Sequence, residues 1–282
     1  MTYVRVRTII GEPDPDLRSL VRRALEGLGV GAIQDAPSLA KAHQIMRREG
    51  ADLLLLNMSP DDSDASGLVE QIRFGRLAGD PFPVIIALID QAVASQVKRV
   101  ASSGVDDALI IPFSTDILTA KIASLSDGRK PFIVTFDYIG PERRSAPRPG
   151  ASSARLIDVP NPLAMLGAEA GAEGYAAARD HARLQLERER IVRLGAQLEW
   201  LTGNLFAPGL SEADKATGLL NIEWVGKELI GRIGASDEGE RLRQLMAQSQ
   251  KIRKSDQAVP AELLEKFHQA MKFIVRPLPP AE

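Results

Sequence analysis

The sequence predicts a doubly wound parallel α/β sheet followed by an all-α helical-bundle domain. Residues 52–57 form an apolar run that ends on a polar residue, which is typical of a central strand covered by helices on both faces. In the N-terminal half, short apolar runs alternate with helical patterns, whereas the last third has amphipathic helical patterns alone. We therefore divide the chain into a sheet domain (1–126), an extended linker (127–172) and an α-helical domain (173–282).

The composition excludes several classes of function. A chain of 282 residues can form two hydrophobic cores, and its net charge of -2 gives no general attraction to nucleic acid or anionic lipid. The absence of cysteine excludes disulfides, a thiolate nucleophile and a cysteine-ligated zinc site. No apolar run approaches the ~18 residues of a membrane span, and residues 1–10 lack the pattern of a signal peptide. We therefore expect a cytoplasmic protein without a membrane segment.

Five strand–helix repeats account for the sheet domain, which predicts a five-stranded parallel sheet. The first strand ends at the loop Gly11-Glu12-Pro13-Asp14-Pro15, after which Asp14 or Asp16 can cap the first helix. Ser38 can cap the second helix. The predicted strands occupy residues 4–10, 30–34, 52–57, 83–89 and 108–111. The predicted helices occupy residues 17–28, 39–48, 67–76, 91–102 and 115–125.

Working residues of such a sheet lie at the carboxyl ends of its strands, and Asn57 lies at one of these ends. Residues 5–125 resemble the receiver domain of bacterial two-component response regulators. The pieces that carry the resemblance are the loop 11–15 with Arg18, the strands 52–57 and 83–89, and Gly104-Val105-Asp106-Asp107 leading to Pro112-Phe113. The resemblance implies the flavodoxin-like strand order 2-1-3-4-5 and a cis peptide bond before Pro112.

The departures from the receiver pattern concern every part of its phosphotransfer chemistry. The phospho-accepting aspartate is replaced by Asn57, whose neutral amide is a poor nucleophile. Of the acid pair that binds Mg²⁺ in receivers, Glu12 remains and Pro13 replaces its neighbour, which weakens the site. Leu88 stands at the Ser/Thr position, and Ile111 stands at the position of the lysine before the Pro-Phe pair. We interpret the domain as a pseudo-receiver without catalytic residues, metal or cofactor.

A residual cation site is an alternative to this interpretation. Carboxylates that follow the first and third strands could gather around a cation. Clusters of Asp and Ser after a strand also form solvated turns, and Asn57 could simply hold the loop that follows it. The acids concerned are Glu12, Asp14, Asp61, Asp62 and Asp64.

The middle segment combines an extended pattern with basic residues. Aromatic and β-branched residues alternate over 132–138, which favours packing on a domain or on the edge of a partner's sheet. The string over 138–144 resembles linkers that follow receiver domains in alphaproteobacterial signalling proteins. Its arginines could bind a phosphate group or a cyclic dinucleotide, or they could belong to a solvated linker. These arginines are Arg143, Arg144, Arg148 and Arg155.

The last third predicts four helices, which begin near residues 174, 211, 236 and 260. The first of them carries apolar residues at heptad spacing, which predicts a homodimer through this helix. Packing of the same residues within one chain, which would leave a monomer, is the alternative. The heptad positions are Leu184, Ile191, Leu194, Leu198, Leu201 and Leu205, of which we expect Leu194, Leu198 and Leu201 to form the interface.

We expect a non-enzymatic signalling protein that acts through protein partners and dimerisation in a bacterial two-component pathway or related phosphorelay. A DNA-binding transcriptional regulator is an alternative, but the only tight basic cluster is 251–254 at a helix end, so we expect no nucleic-acid partner. A histidine phosphotransfer protein is a further alternative. It would use His181, whose surroundings lack the familiar phosphoacceptor pattern, whereas His268 is expected to be structural.

Overall fold

The chain divides into two compact units, Met1–Leu184 and Gln185–Glu282. The computed structural model describes residues 3–58, 63–77, 79–90, 94–143, 155–167, 171–205 and 209–254, together with residues 265, 268 and 269. None of the described helices is both long and apolar enough to cross a membrane.

The first unit contains the predicted five-stranded parallel sheet. Its strands are β1 (Arg7–Gly11), β2 (Ala32–Ala36), β3 (Leu53–Asn57), β4 (Val84–Ile89) and β5 (Asp107–Ile110). The helices that alternate with them are α1 (Pro15–Gly27), α2 (Leu39–Glu49), α3 (Ser63–Arg73), α4 (Ala94–Ser103) and α5 (Thr115–Asp127). All neighbouring strands are parallel and their order is β2-β1-β3-β4-β5, which confirms the predicted fold class.

Strand β3 lies in the middle of the sheet, and every leucine in it is buried. Leu53 and Leu55 belong to the core between the sheet and helices α1 and α5. Leu54 and Leu56 belong to the core on the opposite face, which helices α2, α3 and α4 cover. Burial of each leucine contributes about 1.5–3 kcal/mol. A run that is apolar at every position therefore specifies a strand with helices on both of its faces.

Polar residues begin the helices at the predicted places. The side chain of Asp14 accepts hydrogen bonds from the backbone N–H groups of Asp16 and Leu17 in α1, and the side chain of Ser38 accepts one from that of Lys41 in α2. Helix α3 begins at Ser63, earlier than the predicted residue 67. The loop between β3 and α3 is therefore shorter than the sequence suggested.

The structure corrects the prediction that residues 127–172 form an extended linker. This segment forms strands β6 (Phe132–Val134), β7 (Ile139–Pro141) and β8 (Leu156–Ile157), which pair antiparallel in the order β7-β6-β8. A short helix, α6 (Pro162–Met165), follows. The segment belongs to the first unit, and of its alternating apolar residues Phe132 and Val134 are buried, whereas Phe136 and Tyr138 are partly exposed.

A buried ion network joins this added sheet to the five-stranded sheet and its helices. The Asp106 carboxylate bonds to Arg73, from the end of α3, at 2.7 Å and to Arg129, which precedes β6, at 2.9 Å. Each of the three side chains is at most 2% exposed. The two guanidinium groups lie over the Phe132 ring, with centroid distances of 5.0 and 4.9 Å. Their remaining N–H groups donate to backbone carbonyls, including that of Pro83.

The network keeps the carboxyl group of Asp106 and the guanidinium group of Arg73 charged at neutral pH. Burial alone would raise the pKa of Asp106, but Arg129 and Arg73 outweigh it and hold the pKa below its ordinary value. Burial lowers the pKa of Arg73 to about 10, against the opposing attraction of Asp106. A protonated Asp106 or a neutral Arg73 therefore does not form here near pH 7.

The string over 138–144 is explained by close backbone packing. A Cβ on Gly140 would lie 2.8 Å from the Cα of Gly104, which has a φ of +101°. Only glycine on both sides permits this approach between β7 and the turn before β5. The Tyr138 hydroxyl donates to the Pro141 carbonyl, and Arg143 donates to the carbonyl of Val105. Each described part of the string thus serves to dock the added sheet.

The second unit is helical. Helix α7 (Gly171–Asn204) begins in the first unit and ends in the second, and α8 (Glu212–Ile233) and α9 (Asp237–Lys254) follow it. Helix α8 begins close to the predicted residue 211, with a capping box between Ser211 and Asp214. The predicted fourth helix, from residue 260, lies outside the described residues apart from positions 265, 268 and 269.

The heptad residues chosen for a dimer interface are not available for one. Leu194, Leu198 and Leu201 are buried within the single chain, and Leu194 and Leu198 have no exposed surface. Leu184, at the start of the same pattern, is 62% exposed. The predicted interface through these three leucines is therefore wrong. Heptad spacing alone does not distinguish packing within a chain from packing between chains.

Candidate functional site

The candidate site lies at the carboxyl ends of β1, β3 and β4. Glu12 directly follows β1, and Asn57 is the last residue of β3. The parallel register places Asn57 opposite Leu88 of β4. The sheet thus brings together the positions that the sequence analysis assigned to the acid pair, the phosphoacceptor and the Ser/Thr.

The Glu12 carboxylate receives a hydrogen bond on each of its two oxygens. Asn57 Nδ2 donates to Glu12 Oε2 at 2.9 Å, and the backbone N–H of Asp14 donates to Glu12 Oε1 at 2.9 Å. Glu12 is only 1% exposed. A buried carboxylate is costly unless it is paired or hydrogen-bonded. The Asn57 amide therefore meets a need that a bound cation or a basic side chain would otherwise meet.

The rest of the loop after β1 is occupied with its own backbone. Asp14 Oδ1 accepts from the N–H groups of Asp16 and Leu17 at 2.8 and 2.9 Å, which is an N-cap arrangement. Arg18 donates to the carbonyl oxygens of Glu12 and Pro13 at 2.6 and 3.1 Å. Asp14 therefore acts as a helix cap, and Arg18 holds the loop in place.

The two remaining positions of the site are apolar. Leu88 is fully buried in the core under α1 and α5, and Ile111 packs against the same core. The Ile111–Pro112 peptide bond is cis, as the resemblance implied. Neither side chain can donate a hydrogen bond to an anion or carry a positive charge. The site therefore has no hydroxyl and no ammonium group at the positions where receivers use them.

The described part of the chain contains no group of three or more His, Asp or Glu side chains that could hold a metal ion. Asp64 lies in the first turn of α3, whereas Asp61 and Asp62 lie outside the described residues. The alternative of a cation site built with these loop acids therefore remains a prediction.

The other candidate residues of the sequence analysis are dispersed. Arg143 donates to a backbone carbonyl, Arg155 is exposed, and Arg144 and Arg148 lie outside the described residues. His181 is exposed on α7. His268 Nδ1 lies 2.9 Å from the Thr202 hydroxyl.

Within the basic cluster at the end of α9, Arg253 is paired. Its guanidinium donates to both carboxylate oxygens of Glu223, at 3.0 and 3.1 Å. This arginine ties α9 to α8, so the cluster has one cation fewer to offer to a phosphate backbone than the sequence suggested.

Sequence reasoning missed an exposed apolar face at the β5 edge of the sheet. Ile110 of β5 is 51% exposed, and Val97 of α4 and Ile117 of α5 are exposed to a similar extent. We call these three residues the β5 face. The apolar run that contains Ile110 resembled a buried strand, and only its place at the sheet edge makes this side chain accessible.

No protein-family model matches the sequence, and no curated protein matches it. Among solved structures, a response regulator from Thermotoga maritima is 18% identical, with a TM-score of 0.38, over 44% of this chain and 97% of its own. The response regulator DrrB from Thermotoga maritima, an OmpR/PhoB homologue, is 20% identical, with a TM-score of 0.38, over 48% of this chain and 57% of its own. An orphan response regulator of H. pylori is 20% identical, with a TM-score of 0.38, over 43% of this chain and 96% of its own. The strand order β2-β1-β3-β4-β5 of the first unit is the flavodoxin-like order that the sequence resemblance implied.

Proposed function

We propose that the chain is a non-enzymatic signalling protein of a bacterial two-component or related pathway, whose pseudo-receiver acts through protein–protein contact and not through phosphorylation. The observation that carries the proposal is the hydrogen bond from the Asn57 amide to the Glu12 carboxylate. This hydrogen bond supports a site in which the Glu12 carboxylate needs no cation and the acceptor position holds no nucleophile.

Three physical requirements of phosphoryl transfer are unmet at this site. An amide cannot form the acyl phosphate that an aspartate forms. Glu12, whose carboxylate is bonded to the Asn57 side chain, already accepts two hydrogen bonds. Leu88 and Ile111 cannot stabilise a phosphoryl group or report its presence, because phosphate switches depend on new charge-assisted contacts. The loss of all three together favours an output that is set by binding.

The β5 face supports a protein partner. Scattered apolar side chains are normal on a surface, but three large aliphatic residues on consecutive elements at one sheet edge favour an interaction site. We propose that a partner protein of the signalling pathway binds this face, and that its binding does not depend on phosphorylation of the domain.

The first expected result concerns phosphorylation. Incubation of the full chain with acetyl phosphate and Mg²⁺, followed by intact mass measurement, will show no added phosphoryl group. A phosphorylatable receiver in the same tube controls for the reagent. The Asn57→Asp variant will not regain normal switching, because Leu88 and Ile111 remain. A stoichiometric phosphoryl adduct on the wild-type first unit would overturn the proposal.

The second expected result concerns the β5 face. Ile110→Arg will lower the recovery of the main co-purifying protein from native cells by about tenfold, since a charge in an apolar interface is strongly unfavourable. Leu156→Arg is the matched control, because Leu156 is 50% exposed but lies on β8. Equal recovery with both variants in quantitative mass spectrometry would exclude the β5 face as the docking surface.

A further inference from the structure

The outward side of helix α9 is a surface of the second unit that the pseudo-receiver function does not use. The apolar side of this helix is buried, as Leu242, Leu245 and Met246 show. The opposite side is exposed from the second turn of the helix to its end. We call this exposed side the α9 face and define it by Arg241, Gln244, Ala247, Gln248, Lys251 and Lys254.

The α9 face carries positive charge without matching negative charge. Within residues 241–254, five residues are basic and none is acidic, whereas the acids of α9 stand at positions 237, 238 and 240. Two of the five basic residues lie beside the face and are paired, Arg243 with Glu240 and Arg253 with Glu223. The three cations of the face itself form no ion pair with an acidic side chain among the residues that the structure describes. These three cations are Arg241, Lys251 and Lys254.

The cations and the uncharged side chains occupy different places on the α9 face. At 3.6 residues per turn, Arg241 and Lys254 lie at opposite edges of the face, about 140° apart around the helix axis. They are also separated by about 20 Å along the axis. Gln244, Ala247 and Lys251 lie between the two edges. The face therefore has a cation at each edge, with amide, methyl and ammonium groups in its centre.

These side chains suit a polar and negatively charged occupant. The face has no apolar side chain larger than that of Ala247, so a partner helix would bury almost no apolar area on it. The same lack argues against a membrane surface, which an interfacial helix enters with large apolar residues. Arg, Lys and Gln side chains instead supply long hydrogen-bond donors. A polar, positively charged and hydrated interface is typical of proteins that bind DNA.

Duplex DNA fits the α9 face better than other nucleic acids do. The major groove of DNA admits an α-helix, and there Lys contacts guanine, Gln contacts adenine and Ala contacts the thymine methyl group. The deep, narrow major groove of an RNA helix does not admit side chains in this way. Single strands are held by stacking on aromatic side chains, and α9 contains no aromatic residue.

From these observations, we propose that the second unit binds double-stranded DNA through the α9 face. Arg241 and Lys254 would contact phosphates on either side of the major groove, and Gln244 and Lys251 would reach the edges of the bases. The cluster 251–254 alone led to the expectation of no nucleic-acid partner, whereas the α9 face extends the positive charge to Arg241. The proposed site is distinct from the β5 face, because all of its residues lie in the second unit.

Fluorescence anisotropy of a labelled DNA duplex tests the proposal. The probe is a duplex of mixed sequence, about 30 base pairs long, titrated with the full chain at several salt concentrations from about 50 to 200 mM. Binding will weaken steeply as the salt concentration rises, because each phosphate contact releases a counterion. Lys251→Gln and Lys254→Gln will each weaken binding about fivefold at the lowest salt concentration and will reduce the salt slope by about 1.

Two further variants separate the α9 face from charge in general. Arg188→Gln is the matched control, because Arg188 is an exposed cation of α7 in the second unit, and its loss will leave the affinity unchanged. For a duplex enriched from a random-sequence pool, Gln244→Ala will weaken binding about tenfold without changing the salt slope, since an amide reads a base but releases no counterion. Circular dichroism verifies that each variant keeps its helices.

Four outcomes would overturn the proposal. The first is no binding of the duplex at about 50 mM salt and about 100 μM protein, where even non-specific complexes form. The second is an equal effect of Arg188→Gln and Lys251→Gln. The third is displacement of the duplex by polyglutamate or by a single strand at the same concentration of charge, which would assign the face to an acidic protein or to single-stranded nucleic acid. The fourth is a random-sequence pool that shows no enrichment, which would leave ionic adsorption without contacts to bases.

Discussion

Asp106→Ala will lower the free energy of unfolding of the first unit by about 3–5 kcal/mol. The substitution leaves the guanidinium groups of Arg73 and Arg129 buried without a counter-charge. It also removes the acceptor of the Ile85 N–H, which donates to Asp106 Oδ2 at 2.8 Å. Unpaired buried charges cost far more than the attraction that a surface ion pair contributes.

Asp107→Ala is the matched control for this prediction. Asp107 is the neighbouring residue and also forms an ion pair, with Lys121 at 2.8 Å, but its side chain is 38% exposed. Its loss will cost about 0–1 kcal/mol. Hydrogen exchange of the β3 amides measures both values, because core strands exchange through global unfolding. An equal loss of protection against hydrogen exchange in the two variants would show that the buried network does not hold the unit together.

The contribution of Asp106 also depends on pH. Because Arg129 and Arg73 hold its pKa below the ordinary value, the stabilisation is complete above the unfolded-state pKa of about 3.9. It is lost as the pH falls through the lower folded-state pKa. The difference in stability between the wild type and Asp106→Ala will therefore be constant near neutral pH and will decrease in strong acid.

Leu198→Glu will unfold or severely destabilise the second unit, by about 3–5 kcal/mol. Leu198 has no exposed surface, so the glutamate either buries a charge or opens a packed helix interface. Had this leucine formed a dimer interface, the same change would have separated two chains and left each one folded. Packing within one chain therefore predicts an unfolded second unit, whereas a dimer interface predicts folded monomers.

Leu184→Glu is the control, since Leu184 shares the heptad pattern but is 62% exposed. Its effect will stay within about 0.5 kcal/mol. Tryptophan emission during urea unfolding measures the second unit alone, because both tryptophans lie in it. A Leu198→Glu protein that keeps the wild-type midpoint while its mass halves in light scattering would restore the dimer interface.

The elements that could be predicted from the sequence are those specified by local pattern. The apolar run of β3 identified a central strand, and Asp14 and Ser38 identified helix starts, because each of these signals acts within a few residues. The site could be located for a similar reason. The ends of β1 and β3 must lie side by side once the sheet is parallel.

The parts that could not be predicted depend on contacts between residues far apart in the chain. Asn57 and Glu12 are 45 positions apart, and their hydrogen bond follows from strand pairing rather than from any motif. Arg129 and Asp106 are 23 positions apart, and Arg129 carried no signal beyond its charge. The middle segment had the composition of a linker, yet its partners for burial lie elsewhere in the unit.

If the Asn57 amide replaces a cation beside Glu12, Mg²⁺ will not stabilise the wild-type protein. Hydrogen exchange of the β3 amides will be unchanged by millimolar Mg²⁺ in the wild type. In Asn57→Asp the new carboxylate will face Glu12 and destabilise the unit by about 1–3 kcal/mol, and Mg²⁺ will restore part of that loss. Asn57→Ala, which removes the donor without adding charge, will be destabilised but will not respond to Mg²⁺. A saturable stabilisation of the wild-type protein by Mg²⁺ would contradict the claim.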